Sequence, residues 1–345
     1  MIARRFLTAA LLALAGHASA SAPAHAQSDF GPTLAEIHKR GRVNCGVTEA
    51  PGFAERTPSG DWRGFDADFC RAVAAAIFDD PAKVGFTPLA AKDRTPALQA
   101  GWVDFLASAA PWTESRDASQ RVIYAGVSFY DGQSFLVPSA RSLGSAQDLA
   151  NVSVCVQQAS SYELTLADFF HARKTPYEPR LFPTQEEAAK AYENGQCDVL
   201  TADASALHAI RAKLPAPAAH TVLADYLSKA PHGPVLRQGD DQWFNVLRWT
   251  LYVMIGAEEL QLSKSSADEA LRSENPEIRR FFGVEGDRGA GLGLAGDWTY
   301  RVIKHVGSYA DVFDRNLGQG SPLAMDRRIN ALWNKGGLMF APPVR

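Results

Sequence analysis

The chain has 345 residues, 46% of them hydrophobic and 21% charged, the balance of a globular protein and not of a disordered or fibrous one. Lys and Arg number 35 against 38 Asp and Glu, and the formal net charge of −3 removes the electrostatic case for a nucleic-acid partner, which needs concentrated basic residues. Beyond the first few tens of residues no apolar run reaches eighteen residues, so no membrane-spanning helix is expected there and the mature protein is expected to be soluble.

In chain order, Arg4 and Arg5 precede an apolar run from Phe6 to Ala15, and a small-residue stretch ends in Ala24-His25-Ala26. Charge, short apolar core and A-x-A site in that order predict a cleaved secretory signal peptide over residues 1–26. Arg4-Arg5-Phe6-Leu7 also fits a twin-arginine signal, which leaves the export route open. The remainder is long enough for two domains. All four cysteines, Cys45, Cys70, Cys155 and Cys197, follow the leader; in an exported chain an even number predicts two disulfides over four buried thiols, with three pairings possible. No C-x-x-C supports a zinc knuckle or redox site.

Arg42 to Val47 alternates as a strand does, and Asp61-Trp62-Arg63-Gly64 turns into a helix with Phe65, Phe69, Val73 and Ile77 at four-residue spacing. Lys83–Leu89 reads as a strand, Asp93–Gln99 as a short helix and Gly101–Leu106 as a third strand. The rhythm then restarts: strand from Val152, Ser-rich turn, helix Tyr162–Arg173, strand Pro179–Phe182, helix Gln185–Asn194, strand Cys197–Leu200. Two mostly parallel sheets follow from this doubled β-α-β order. Extended links at Ser134–Val137 and Pro234–Arg237 bracket the second unit, as an inserted domain requires. A long helix spans about Asp241–Glu259, and Trp298, Val302, Val306 and Tyr309 form an apolar stripe expected to pack on the first unit.

Several strings together resemble the solute-binding component of general L-amino-acid ABC transporters, within the bacterial extracellular solute-binding proteins of family 3. They are Asn44-Cys45-Gly46-Val47, the run from Gly64 to Ala74, Tyr130-Asp131-Gly132-Gln133, Val154-Cys155-Val156-Gln157, Arg237 to Phe244 and Asn330 to Gly337. The resemblance runs from about residue 33 to the end. It implies an α/β fold of the two-lobed periplasmic binding protein type (type II), each lobe a mostly parallel sheet flanked by helices, with a helical C-terminal extension. Lobe 1 would comprise 27–134 and 237–345, and lobe 2 the inserted 135–236. It further implies disulfides Cys45–Cys70 and Cys155–Cys197, a periplasmic location, and monomeric delivery of a small polar ligand, an amino acid or related amine or acid, to an inner-membrane ABC permease by hinge closure.

An amino-acid pocket must hold a carboxylate and an ammonium together. A guanidinium offers the carboxylate a bidentate partner, and the resemblance places this role on Arg116. The turn before it reads Ser108-Ala109-Ala110-Pro111-Trp112-Thr113 where the family usually has Arg-Asn-Thr-Thr-Trp-Thr. Ala109, Pro111 and Thr113 are therefore expected to line the ligand, but Pro111 brings neither hydroxyl nor N–H. On the second lobe, Ser160 and Ser161 precede a helix and can grip an anion or cap the helix. Asp203 matches the family's ammonium-binding Asp, with helix capping as its alternative role. Ala159 stands for the family's Gly, and Tyr162 for a Thr. Glu49 and Phe53 lie in a loop where the family has ligand-facing residues, and Glu49 would select a cationic side chain; Trp62 and Trp112 can stack on a ligand or pack internally.

Gly291-Leu292-Gly293-Leu294-Ala295-Gly296 fits G-x-G-x-x-G, but the stretch before it reads as a loop, not the strand a dinucleotide site requires. The histidines show no metal-binding spacing and no G-x-S-x-G occurs. The chain is thus expected to carry no cofactor, metal or catalytic residue. The competing readings are a periplasmic enzyme of dehydratase type, which would use Glu49 or Glu114 as a pocket acid, and a ligand-receiver for a sensory receptor.

Overall fold

The structure, a computed structural model, describes residues 30–108, 110–284, 286 and 288–344. The expected signal peptide and Ala109 lie outside the described residues.

Helix α1 (Pro32–Arg40) leads into β1 (Val43–Val47). A small hairpin of β2 (Glu55–Arg56) and β3 (Trp62–Arg63) then precedes α2 (Phe65–Phe78). The expected stripe of Phe65, Phe69, Val73 and Ile77 is buried, and so are the alanines between, because C-terminal helices cover the helix's outer side. There follow β4 (Val84–Pro88), α3 (Arg94–Gln99), β5 (Phe105–Ala107), α4 (Glu114–Ser119) and β6 (Val122–Tyr124). The third strand is shorter than its sequence suggests. Gly101, at φ 74°, is still closing α3, and the Trp102 amide donates back to the Ala97 carbonyl at 3.0 Å.

The chain leaves this lobe through β7 (Phe129–Asp131) and enters β8 (Gln133–Pro138), β9 (Val152–Gln157), α5 (Ser161–Arg173), β10 (Tyr177–Phe182), α6 (Gln185–Glu193), β11 (Val199–Asp203), α7 (Ala204–Arg211) and β12 (His220–Val222). It returns through β13 (Ala230–His232) to β14 (Val235–Arg237). The first sheet has the order β4-β1-β5-β14-β6, with β4, β1 and β5 parallel and β14 antiparallel to its neighbours. The second has the order β10-β9-β11-β8-β12, parallel from β10 to β11, with β8 antiparallel to β11 and β12. Pro179 is tolerated inside β10 because that strand is the sheet edge.

The two expected links are thus strands within the sheets. The crossing itself is the antiparallel ribbon of β7 and β13, a few residues earlier than each link, with Pro231 opposite Tyr130. At the exit of β7 a Cβ on Gly132 would lie 2.2 Å from the Ser228 carbonyl oxygen, so only glycine fits there.

Helices α8 (Asp241–Glu259), α9 (Ala267–Ala270), α10 (Pro276–Phe281), α11 (Trp298–His305) and α12 (Tyr309–Asn316) complete the chain. Trp298, Val302, Val306 and Tyr309 join α2 and α8 in one core on the first lobe. The final segment reaches further than that core. Arg328 donates to the Val222 and Leu223 carbonyls (3.1 and 2.8 Å), and Arg211 of α7 to the Leu323 carbonyl (2.8 Å), both on the second lobe. The Asn330 side chain takes the Tyr130 N–H at 2.7 Å and gives to the Tyr130 carbonyl at 2.9 Å, extending the ribbon like a third strand. The G-x-G-x-x-G segment forms a 3₁₀ turn packed on α1 and α8, and a Cβ on Gly293 would meet Leu34 and Phe30 at 2.9 Å.

Cys45–Cys70 ties β1 to α2 with Cα atoms 6.1 Å apart, and Cys155–Cys197 ties β9 to the approach of β11 at 5.7 Å. For separations of 25 and 42 residues the chain-entropy contributions are about 3.5 and about 4 kcal/mol. Replacing each pair by alanine is expected to lower the unfolding free energy by about those amounts in guanidinium denaturation; an unchanged midpoint for either pair contradicts its stabilising role.

Candidate ligand-binding site

The expected site residues gather at the carboxyl ends of strands: Glu49 and Phe53 after β1, the Arg116 turn after β5, Ser160 after β9 and Asp203 at the end of β11. Such ends are where open α/β sheets place ligands.

On the first lobe the turn is pinned at Trp112, whose amide donates to the Pro231 carbonyl of the ribbon at 2.7 Å. The Trp112 ring stacks on Tyr124 (5.0 Å, 6°) and its Nε1 donates to Asp117 at 2.6 Å, so this tryptophan packs internally. Trp62 likewise lies between Arg56 and Phe86. Thr113 is exposed at the start of α4, and its side chain makes no capping bond. Arg116, half-buried, donates through Nη1 to the Pro111 carbonyl, which also accepts from the Tyr124 hydroxyl at 3.2 Å. Pro111 lacks an N–H, yet its carbonyl anchors the guanidinium.

The same wall holds charged groups that sequence reasoning did not nominate. Arg94 opens α3; burial first and then the neighbouring Arg116 charge lower its pKa, while Asp66 opposes them. Its Nε is buried without a partner. Asp66, in the first turn of α2, is pushed up to about 7 by burial, against the pull of Arg94. His232 of β13 is buried with neither ring nitrogen bonded, and burial followed by Arg94 and Arg116 holds it near 4, hence neutral. The Ser108 hydroxyl is buried and unbonded as well.

One expectation needs correction. Phe53 is only 3% exposed, edge-on to Phe129, Phe65 and His232, because the bridge between Ala50 and Ala54 turns it under the loop. It is a support beneath His232 and has no ligand-facing surface. Glu49 is exposed, 3.8 Å from Arg56, and Glu114 is exposed at the start of α4.

On the second lobe Ser160 is the N-cap of α5: its hydroxyl accepts the Glu163 N–H (3.4 Å) and donates to the Gln157 carbonyl (2.6 Å). Ser161 is exposed in the first turn. Ala159 sits at φ 53°, which accounts for glycine in the family pattern, and its N–H donates to the Glu163 carboxylate at 2.6 Å. That backbone donor is therefore taken by the chain's own Glu163. Asp203 makes no capping bond; its carboxylate accepts the Tyr162 hydroxyl at 2.8 Å. Burial raises its pKa and the Tyr162 hydrogen bond opposes that rise. Asp131, at the end of β7, lies beside it, raised by burial and then by the Asp203 charge.

Both walls rest on one ribbon. Trp112 is bonded to Pro231 of β13, and the Ala204 amide at the head of α7 donates to the carbonyl of Gly132, just after β7, at 2.9 Å. Among the described residues, Arg94 and Arg116 have no carboxylate, and Asp131 and Asp203 no basic side chain, at ion-pair distance. No group of His, Cys, Asp and Glu able to hold a metal occurs among the described residues.

The sequence pattern of the bacterial extracellular solute-binding proteins, family 3, matches residues 43–268. The chain is 47% identical over 316 residues to the general L-amino acid-binding periplasmic protein of Rhizobium johnstonii, covering 91% of this chain and 93% of that one. It is 40% identical over 343 residues to the glutamate/glutamine/aspartate/asparagine-binding protein of Rhodobacter capsulatus, covering 99% and 98%. Among solved structures it is similar to an ABC transporter/periplasmic binding protein from Brucella ovis with glutathione bound (46% identity, TM-score 0.80, 91% of this chain and 99% of that one). The fold, the paired cysteines and these similarities agree: the chain belongs to the bacterial extracellular solute-binding proteins of family 3.

Proposed function

We propose that this chain captures, in the periplasm, a small zwitterionic ligand of the amino-acid class bearing a second acidic group, and delivers it unaltered to an inner-membrane ABC permease by closure of its two lobes. The observation that carries the reading is the opposite character of the two walls: guanidinia at 94 and 116 on one side, carboxyls at 203 and 131 on the other, none of the four in an ion pair among the described residues. Groups held that way in partly dry surroundings favour a ligand that supplies both missing charges. Arg116 takes the α-carboxylate and Asp203 the ammonium. Arg94, with a free buried Nε, takes a second carboxylate.

The relatives support this class. One is named for L-amino acids in general, one for glutamate, glutamine, aspartate and asparagine, and the Brucella structure holds glutathione, which carries one ammonium and two carboxylates. The second guanidinium argues against selection of a cationic side chain by Glu49. Capture and release need no covalent step, and the relatives are named as binding proteins; recovery of intact ligand by mass spectrometry after prolonged incubation is expected, and a transformed product would establish an enzyme instead.

In thermal or denaturant unfolding, L-glutamate at about a hundred times its Kd is expected to stabilise the wild-type protein by about 2.7 kcal/mol. Asp203→Ala is expected to lose that stabilisation, and its retention would remove Asp203 from the site. Arg94→Gln is expected to weaken L-glutamate binding about 10–100-fold while changing L-glutamine binding several-fold less, since only the former presents a second charge to it. Equal losses for the two ligands in calorimetric titration would show Arg94 to be structural.

A further inference from the structure

Two acidic residues come together where the second lobe joins the ribbon: Asp203 lies opposite Gln133 in the sheet, and the Asp131 carboxylate bonds Ser205, two residues beyond Asp203. Asp131 is the last residue of β7 and 3% exposed; its Oδ1 accepts the Gly132 and Ser205 N–H groups (2.9 and 3.3 Å) and its Oδ2 the Ser205 hydroxyl (2.5 Å). Asp203 is the last residue of β11 and accepts the Tyr162 hydroxyl. Every one of these donors is neutral. Gln133, opposite Asp203 in the sheet, is neutral too, and Tyr226 is raised by burial first and then by the Asp131 charge, with Arg328 opposing. The Arg328 guanidinium itself is bonded to the Val222 and Leu223 carbonyls. A pair of buried like charges with only neutral donors is strongly unfavourable, so one member keeps a proton until a cation arrives.

We propose that Asp131 is a positioning residue for the ligand's amine: acting through Asp203, it shares one proton with that carboxylate in the ligand-free protein, and the arriving ammonium displaces this proton to solvent. The ligand keeps its three ammonium protons, the carboxyl pair passes from one negative charge to two, and one H⁺ enters the buffer. The proposal rests on the reading that the ligand brings an ammonium to Asp203. It ties the ligand's charge to the hinge, because Asp131 ends a ribbon strand while its carboxylate holds the first turn of α7 through Ser205.

The titration behaviour agrees with the geometry. Burial, then the facing Asp203, pushes Asp131 up to about 7, and burial also raises Asp203. A carboxyl raised in the folded state stabilises the fold at low pH, and that contribution is lost as pH rises through the folded value. The ligand-free protein is therefore expected to lose stability between about pH 4 and 7, and a bound ammonium to oppose that loss.

Calorimetric titration of the full protein with L-glutamate, in two buffers of different ionisation enthalpy, counts the protons. About half to one proton released per ligand near pH 6.5, falling towards none near pH 8.5, is expected for wild type. Asp131→Asn should release less than half as much. Binding heats identical in both buffers at both pH values overturn the proposal, and this wild-type result stands even if the variant does not fold. Without ligand, the wild-type unfolding midpoint should fall relative to Asp131→Asn as pH rises from 5 to 8.5; parallel curves overturn the shared proton. Absence of any heat with L-glutamate refutes the amino-acid reading of the cleft, and the ligand-free curves then decide on the pair.

Discussion

The ribbon of Phe129–Asp131 and Ala230–His232 is the constraint on which the rest of the molecule depends, because the chain crosses between its two sheets there and both walls of the cleft are bonded to it. A two-stranded ribbon alone is marginal in water. Here its open edge at Tyr130 is satisfied by the Asn330 amide, whose oxygen and nitrogen imitate the acceptor and donor of a neighbouring strand. The C-terminal segment thus completes the hinge from outside, while Arg328 and the Leu323 carbonyl join it to the second lobe. Each disulfide lies within one lobe, so neither restricts rotation about the ribbon.

Charge is segregated across that hinge, and each side tolerates its excess by a different device. On the first lobe Arg116 is steadied by the Pro111 carbonyl, and Asp66 partly offsets Arg94. His232 between them stays neutral, since burial beside two guanidinia makes a third cation untenable. On the second lobe neutral hydroxyl and amide donors stand around Asp131 and Asp203. Neither device cancels the charge. On the proposed reading the ligand supplies the missing charges, and a zwitterion would then fit better than a neutral molecule of the same size.

Much of the fold was legible in the sequence. The doubled strand–helix rhythm, the stripe on α2 and the full span of Asp241–Glu259 follow from local periodicity, and local periodicity is what sequence records best. The crossing point was not legible, because the stretches at 134–137 and 234–237 are strands like any other and only their partners say which sheet they join. The same holds for the site. Arg116 and Asp203 were visible through motif resemblance. Asp66 and Asp131 stood inside resembling strings yet read as markers of fold, since what sets their ionisation is burial and neighbours far away in sequence: Arg94 for one, Asp203 for the other. Arg94 and His232 had no local signal at all. Phe53 was placed in the right loop, but a single backbone bridge decided that it points inward.

The departures from the family pattern share a physical direction. Pro111 and Tyr162 each stand where the family it resembles has threonine, and each turns its hydrogen-bonding group to the protein: the Pro111 carbonyl to Arg116, the Tyr162 hydroxyl to Asp203. Glu163 does the same to the Ala159 amide. The Tyr162 hydroxyl and the Ala159 amide, both neutral donors, are thereby held within the protein, while the full charges remain. Neutral hydrogen bonds discriminate by position and contribute modestly, whereas ionic ones in a closed, poorly screened cleft depend mainly on matching sign and spacing. If the proposed site is right, recognition leans on the placement of four charged groups more than on a lining of hydroxyls. A second guanidinium beside Arg116 then matters more than it would in a site already rich in neutral donors.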